Sequence, residues 1–289
     1  MRWRGGRQSR NVIDARSRGG GRGVSGARLG GVGGLGLLAI VVIGFFFGID
    51  LTPLLGMGSG SSPAGYSTGP VTEADEERGQ FASTVLAFTE DVWNEKMPAQ
   101  VGQDYTEPQL VLFKGVTQSG CGGASAATGP FYCPVDQRIY LDTDFFVEMK
   151  NRFGAPGDFA AAYVIAHEVG HHIQDELGIL DSARNAQSGR GQAEANAIQV
   201  RVELQADCLA GVWAREADNQ FGVLEPGDFE EALNAARAIG DDELQRQAGR
   251  AVQPHTFTHG SSAQRQRWFT AGYDSGDMNS CDTFGASTL

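Results

Sequence analysis

Two histidines and a glutamate occur in a spacing that could bind and use a metal ion. His167 and His171 are four residues apart, and Glu168 directly follows the first histidine, within the segment AAYVIAHEVGHHIQ. Because residues four apart lie on the same face of a helix, both imidazoles could bind a single ion. Glu168 would then lie beside the metal as a general base. The spacing indicates a zinc site, although this short pattern also occurs by chance in proteins that bind no metal.

A second pair of acids could complete that site. Glu203 and Asp207 are also four residues apart, in the segment VRVELQADCLAGVWA. A carboxylate from a second helix would give a two-histidine site its third protein ligand and leave a fourth position open for water. Asp207 would accept the ring N–H of one histidine ligand and so fix its orientation. The alternative is a solvated helix edge, but the mostly apolar neighbours favour a buried helix, in which a carboxylate needs a cation.

The remaining histidines offer a candidate for stabilising a transition state. Of the five histidines in the chain, three lie in the metal-binding segment, which leaves His255 and His259. His172 directly follows His171, so in a helix it points about 100° away and is expected not to bind the metal. We predict that His259 donates a hydrogen bond to the developing oxyanion, because Gly260 follows it and a helix begins close by. The alternative is a surface histidine in a turn.

The patterns around these residues predict an α+β fold that is mostly helical with a small sheet. Apolar positions at helical spacing predict a first helix through residues 81–93. Ser261 and Gln264 have capping-box spacing before a last helix, and Asp158 is predicted to cap the helix that carries the histidines. The other predicted elements are strands at 108–115 and 137–143, a short helix ending at Gly154, a turn-rich segment at 178–191, a long helix at 192–219 and two acidic, mostly exposed helices at 229–239 and 242–248.

The first seventy residues differ in composition from the rest of the chain. Residues 1–30 hold eight arginines and one acid, Asp14, among many glycines and serines, which predicts a basic, disordered cytoplasmic arm. Residues 31–48 carry no charged side chain, so we predict a transmembrane helix over residues 31–50, followed by a flexible linker over residues 51–73. Arginines before the span and acids after it predict a single-pass protein of the cell membrane with an extracytoplasmic C-terminal domain. A cleaved signal peptide is the alternative.

Charge and cysteine content restrict the partners and the compartment. Beyond residue 30 the chain holds 34 acidic and 15 basic residues, and such a surface repels phosphate backbones, so no nucleic-acid partner is expected. All four cysteines follow the apolar run, where an oxidising compartment would pair them in one of three ways. The short, loop-like spacing favours Cys121 with Cys133, which leaves Cys208 with Cys281. Zinc binding by the cysteines is the alternative, although no CxxC pair is present.

Four segments together resemble the neutral zinc metallopeptidase family of bacterial membrane-anchored proteins. They are GPFYCPVDQRIYLD, AHEVGHHIQ, ELQADCLAGVWA and HTFTHGSSAQRQRWF, and the resemblance spans roughly residues 74–284. It implies a zincin-like metallopeptidase domain over residues 74–289, behind the transmembrane helix. The order of motifs is similar to that of thermolysin-like zincins, in which HExxH is followed by ExxxD on a later helix.

The resemblance also implies a role for each site residue. His167, His171 and Glu203 would bind one Zn²⁺, Glu168 would be the catalytic base, and Asp207 would hold a histidine ligand. Thermolysin-like enzymes also place a histidine, as His259 is placed here, downstream of the third ligand. The implied activity is hydrolysis of peptide bonds in a peptide or protein substrate by water that the zinc activates. Two alternatives stay open, a non-catalytic zinc-containing binding module at the envelope and a hydrolase of cell-wall amides.

Overall fold

The computed structural model describes residues 1–17, 70–125, 128–151 and 154–289, and over these ranges the chain is mostly helical with a small sheet. The predicted α+β class is therefore confirmed. The strands are β1 (Val12–Asp14), β2 (Gln109–Phe113), β3 (Val116–Ser119), β4 (Gly122–Ser125), β5 (Phe131–Cys133) and β6 (Arg138–Asp142). The helices are α1 (Glu73–Val101), α2 (Phe145–Asn151), α3 (Asp158–Glu176), α4 (Ile179–Gln187), α5 (Gln192–Phe221), α6 (Asp228–Ala238), α7 (Asp241–Gln247) and α8 (Ser262–Ser275), with short 3₁₀ helices at Pro254–Thr256 and Met278–Cys281.

A four-stranded sheet has the order β1-β2-β6-β5. The strands β1, β2 and β6 are parallel, whereas β5 pairs antiparallel with β6. The side chains at positions 110–113 of β2 are all buried, as expected for a parallel strand that is covered on both faces. The strands β3 and β4 form a separate antiparallel pair. The predicted strands at 108–115 and 137–143 are thus confirmed as β2 and β6.

The helices α3, α5 and α8 form the centre of the fold, where glycines allow close helix contacts. A Cβ atom on Gly272 of α8 would lie 1.9 Å from the backbone oxygen of Cys208 in α5. A Cβ atom on Gly211 of α5 would lie 2.1 Å from the backbone oxygen of Phe269 in α8. Since α3 packs against α5, α6 and α1, the helix that carries the histidines lies in the interior of the domain.

The first seventeen residues, here called the N-terminal strap, are folded onto the domain. Its strand β1 pairs with β2, and the side chains of Trp3 and Arg16 are buried. The prediction of a disordered arm over residues 1–30 is therefore wrong for residues 1–17. The physical reason is that arginines of the strap pair with acids of the domain, whereas composition alone suggested that they would remain solvated.

Two predictions next to the histidine helix are corrected. The helix α3 begins at Asp158 itself, and the preceding Gly157 occupies the N-cap position without a side-chain hydrogen bond. The segment 178–191, predicted to be turn-rich, contains helix α4. This helix is short and polar and lacks a long apolar stripe. Its alanines, arginine and glutamine have high helix propensity, which favours the helix over a series of turns.

The ends of three other helices also differ from prediction. The helix α1 begins at Glu73, inside the predicted linker over residues 51–73, because Thr72 forms a capping box with Asp75. The helices α6 and α7, predicted to be mostly exposed over residues 229–239 and 242–248, each begin one residue earlier, at Asp228 and Asp241, and both of these residues are buried. Both carboxylates accept hydrogen bonds from distant parts of the chain, and these bonds compensate the cost of burial.

The predicted transmembrane helix over residues 31–50 lies outside the described residues. None of the helices within the described ranges combines the length with the apolar composition that crossing a bilayer requires. Both predicted disulfides are present, Cys121 with Cys133 and Cys208 with Cys281. The second disulfide ties α5 to the last segment of the chain.

Candidate metal centre

A glycine inside the HExxH motif brings the two carboxylates of α5 to the histidines of α3. A Cβ atom on Gly170 would lie 3.0 Å from the backbone oxygen of Ala206 and 3.1 Å from its Cα atom. The two helices are therefore nearly in backbone contact between His167 and His171. Since Glu203 and Asp207 flank Ala206 along α5, both carboxylates reach the imidazoles across this contact.

Three possible ligand atoms converge on one point. The Nε2 atom of His167 lies 3.3 Å from Oε2 of Glu203, and Nε2 of His171 lies 3.5 Å from the same oxygen. One ligand atom from each of the three residues lies within 4.8 Å of the other two. Two imidazoles and one carboxylate form a known ligand set of catalytic zinc, which keeps a fourth position for water. The residues present therefore fit a zinc ion.

Each histidine is oriented by an acceptor on its other ring nitrogen. The Nδ1 atom of His167 lies 2.9 Å from Oδ1 of Asp207, and Nδ1 of His171 lies 2.9 Å from Oε1 of Gln174. Both acceptors favour the tautomer with the proton on Nδ1, which leaves Nε2 free to bind a metal. The amide of Gln174 is itself fixed, because its Nε2 donates to the side chain of Gln205 at 2.9 Å.

Asp207 is held by a buried arginine that the sequence analysis missed. The guanidinium of Arg265 in α8 donates from Nε to Oδ2 of Asp207 at 2.8 Å and from Nη2 to Oδ1 at 2.9 Å. The hydroxyl of Tyr163 also donates to Oδ1, at 2.5 Å. Asp207 is 0% exposed and Arg265 is 2% exposed, so this ion pair is shielded from solvent. The result is a hydrogen-bonded chain from Arg265 through Asp207 to His167.

These contacts set the charge state of the centre. Burial opposes ionisation of Asp207, but the charges of Arg265 and His167 lower its pKa to about 2. Burial likewise opposes the charge on His167, but the charge and hydrogen bond of Asp207 raise its pKa to about 9. Glu203 stays ionised in spite of burial, because the two histidines hold its pKa well below the usual value. A metal that binds Nε2 of His167 must therefore displace a proton near neutral pH.

Glu168 and His172 are four residues apart, so they lie on the same side of α3, but their side chains have different contacts. The Glu168 side chain is buried beside His167, and no hydrogen-bond partner of its carboxylate is found in the part of the chain that the structure describes. His172 lies away from the centre, with Nε2 donating to the backbone oxygen of Thr106 at 2.6 Å and Nδ1 lying 3.2 Å from the Tyr132 hydroxyl. The structure thus gives His172 contacts outside the candidate centre, whereas Glu168 directly follows the ligand His167 on α3.

His259 lies in a loop that Asp241 holds against α5, the helix that carries Glu203. One carboxylate oxygen of Asp241 accepts the backbone N–H groups of Thr258, His259 and Gly260 at 2.7 to 3.0 Å. A Cβ atom on Gly260 would lie 3.1 Å from the side chain of Leu204, so the loop packs tightly on α5. Burial disfavours the charged imidazole, but the hydrogen bond to Asp241 and the charge of Glu203 raise the pKa of His259.

Some of these partners could have been found from the sequence and others could not. Gln174 follows His171 by three residues, which is a same-face spacing in a helix and therefore a usable signal. Arg265 and Asp241 carry no such signal, because they lie far along the chain from the residues that they hold. The other remaining histidine, His255, is exposed in the short 3₁₀ helix.

The chain is similar over much of its length to bacterial proteins. It is 50% identical over 290 residues to a protein of Escherichia coli strain K12, named YpfJ and described as uncharacterized, and the match covers 99% of this chain and 100% of that protein. It is also 50% identical over 208 residues to the uncharacterized protein Rv2575 of Mycobacterium tuberculosis strain H37Rv, covering 68% of each. No solved structure matches the chain. Residues 1–284 match the family described as "Putative neutral zinc metallopeptidase", and the chain belongs to this family.

Proposed function

We propose that the protein is a zinc-dependent peptidase that hydrolyses peptide bonds in a peptide or protein substrate. One observation carries this proposal. The Nε2 atoms of His167 and His171 and the carboxylate of Glu203 converge within 4.8 Å, and Glu168, which directly follows His167 on α3, is buried without a hydrogen-bond partner among the described residues. A site that only held a metal would have no need of that additional buried acid.

The residues of the centre divide the proposed reaction among them. A zinc ion held by His167, His171 and Glu203 would supply a Lewis acid that lowers the pKa of water and polarises a carbonyl group. Glu168 accepts a proton from the attacking water and passes it to the leaving amine. His259 donates a hydrogen bond to the oxygen of the scissile carbonyl as negative charge develops there.

The decisive test separates metal binding from hydrolysis in the full chain. Glu168→Gln removes the base but no ligand, so we expect wild-type zinc content by mass spectrometry and a loss of cleavage of an unfolded casein-like substrate. Glu203→Ala is the matched comparison, because removing a ligand should lower the zinc content itself. Wild-type cleavage by Glu168→Gln would exclude the proposed mechanism.

A non-catalytic zinc-containing binding module is the second candidate. The orienting hydrogen bonds of both histidines would serve a purely structural zinc equally well. Zinc bound at one ion per chain, with no cleavage of any unfolded substrate by the wild-type protein, would favour this function. We also propose that residues 31–50 attach the protein to the cell membrane without placing the N-terminus and the metallopeptidase domain on opposite sides of it.

A further inference from the structure

We propose that the N-terminal strap and the metallopeptidase domain lie on the same side of any membrane that the protein meets. This inference does not depend on peptidase activity. It follows from the contacts by which residues 1–17 are built into the domain, and it replaces the predicted arrangement of a cytoplasmic N-terminus with an extracytoplasmic domain.

The strap contributes a strand to the main sheet of the domain. The strand β1 aligns in parallel with β2, with Val12 opposite Leu110. The backbone N–H of Leu110 donates to the oxygen of Asn11 at 2.8 Å, and the N–H of Ala15 donates to the oxygen of Leu112 at 2.8 Å. These bonds join main-chain groups, so they require the strap to lie within the fold.

The strap also runs along α1 through a series of polar contacts. The backbone N–H of Ser9 donates to the oxygen of Ser83 at 3.1 Å. The guanidinium of Arg7 pairs with Glu90 at 2.9 Å and with Asp91 at 2.7 Å. Arg7 is neutralised by two acids of the domain, so it is not a free charge that would keep the N-terminus in the cytoplasm.

The first residues of the strap fill a site between α1, α3 and α6. The backbone nitrogen of Met1 lies 2.6 Å from Oδ1 of Asp158 and 3.2 Å from Oδ2 of Asp228. The indole of Trp3 packs edge-on against Phe81, with ring centroids 5.4 Å apart. Asp158 is the first residue of the histidine helix, so the strap contacts the element that positions the candidate metal centre.

These contacts and the predicted topology exclude one another. A single membrane crossing between residues 17 and 70 would place the strap and the domain on opposite sides, where β1 could not pair with β2. Cleavage after the apolar run would remove the strap altogether, so the docked strap also argues against the signal-peptide alternative. The family match includes residues 1–17, as expected if the strap belongs to the shared domain.

The sidedness can be measured with single cysteines in the full chain. Arg10→Cys places a thiol on an exposed strap residue, and Asp181→Cys places one on an exposed residue of α4. Since all four native cysteines are disulfide-bonded, the background from native thiols is low. A membrane-impermeant maleimide applied to intact spheroplasts should label both variants or neither, and label both after lysis. Labelling of one variant alone before lysis would overturn the proposal.

Docking itself can be measured by cross-linking of the strap to α1. In the variant Ser9→Cys with Ser83→Cys the two thiols replace hydroxyls of adjacent backbone segments, so a membrane-permeant thiol oxidant should join them efficiently. The control pairs Ser83→Cys with Arg10→Cys, whose side chain is exposed on the strap. Cross-linking no greater than in the control would show that the strap is not docked. None of these positions contacts the metal ligands, so failure here is distinguishable from failure of the proposed activity.

Discussion

Arg265 orients one candidate ligand, His167, mainly through Asp207, and its own Nη2 atom lies 3.5 Å from Nδ1 of that histidine. Its two parallel hydrogen bonds fix Asp207, and Asp207 in turn fixes the ring of His167. A planar guanidinium can make this double contact, whereas the single ammonium group of lysine cannot. Arg265 is therefore a positioning residue for the metal centre.

We predict that Arg265→Lys weakens zinc binding by about 10- to 100-fold, the usual effect of removing a partner that orients a ligand. Chelator competition on the folded protein measures this change. Arg267→Lys is the matched control, because Arg267 lies on the same helix but is exposed, and it should keep wild-type zinc affinity. Equal affinities for the two variants would contradict the positioning role.

The pKa of His167 predicts how zinc affinity depends on pH. In the metal-free protein this pKa is raised to about 9, above the ordinary value of 6.5, so the imidazole is protonated across the neutral range. Zinc must displace that proton, so affinity should fall by up to about tenfold per unit as the pH decreases from 9 toward 6.5. Titration calorimetry at pH 7.5 in two buffers of different ionisation enthalpy should count close to one released proton from this group. Affinity that is constant from pH 6.5 to 9 would contradict the assigned charge state.

His259 is predicted to act on the transition state and not on the metal. His259→Ala should keep its zinc and its KM but lose about 10²-fold or more in kcat, as when an oxyanion donor is removed. His255→Ala is the control, because His255 is exposed in a neighbouring turn. Unchanged turnover in His259→Ala would remove this residue from the proposed mechanism.

At the scale of elements, helices and strands with a strong periodic pattern could be predicted from the sequence. The strands β2 and β6 and the long helices α3 and α5 carry apolar residues at regular spacing, so their positions follow from local patterns. Ser261 and Gln264 were likewise predictable as a capping box, because that signal needs only four consecutive residues.

Elements that depend on tertiary contacts could not be predicted in this way. The strand β1 has only three residues, and its arginine-rich surroundings suggest disorder until the acids of α1 are placed beside it. Arg265 binds Asp207, and Asp241 binds the loop that carries His259. Both contacts join residues far apart in the chain, so no local spacing reveals them. Gly170 is visible within the motif, but the sequence does not show that a glycine is needed there. That need arises because the backbone of α5 lies against Gly170 in the fold.

At the scale of the whole molecule, the domain is secured at both ends of the chain. The N-terminal strap binds α1, α3 and the sheet, while the disulfide between Cys208 and Cys281 binds the final segment to α5. Cys208 directly follows Asp207, so this covalent link lies next to the residue that orients His167. The geometry of the candidate centre therefore depends on parts of the chain that carry no ligand.

The two disulfides should contribute unequally to stability because they close loops of different length. Their sequence separations are 73 residues for Cys208 with Cys281 and 12 for Cys121 with Cys133. Chain-entropy reasoning gives about 4 kcal/mol for the longer loop and about 3 kcal/mol for the shorter one. The variant with Cys208→Ala and Cys281→Ala should thus lose more free energy of unfolding in urea than the variant with Cys121→Ala and Cys133→Ala, both measured without metal. Only the first should also weaken zinc binding, since it releases the part of α5 next to Asp207. A larger loss from the shorter loop would show that local packing, and not loop closure, sets the contribution of each disulfide.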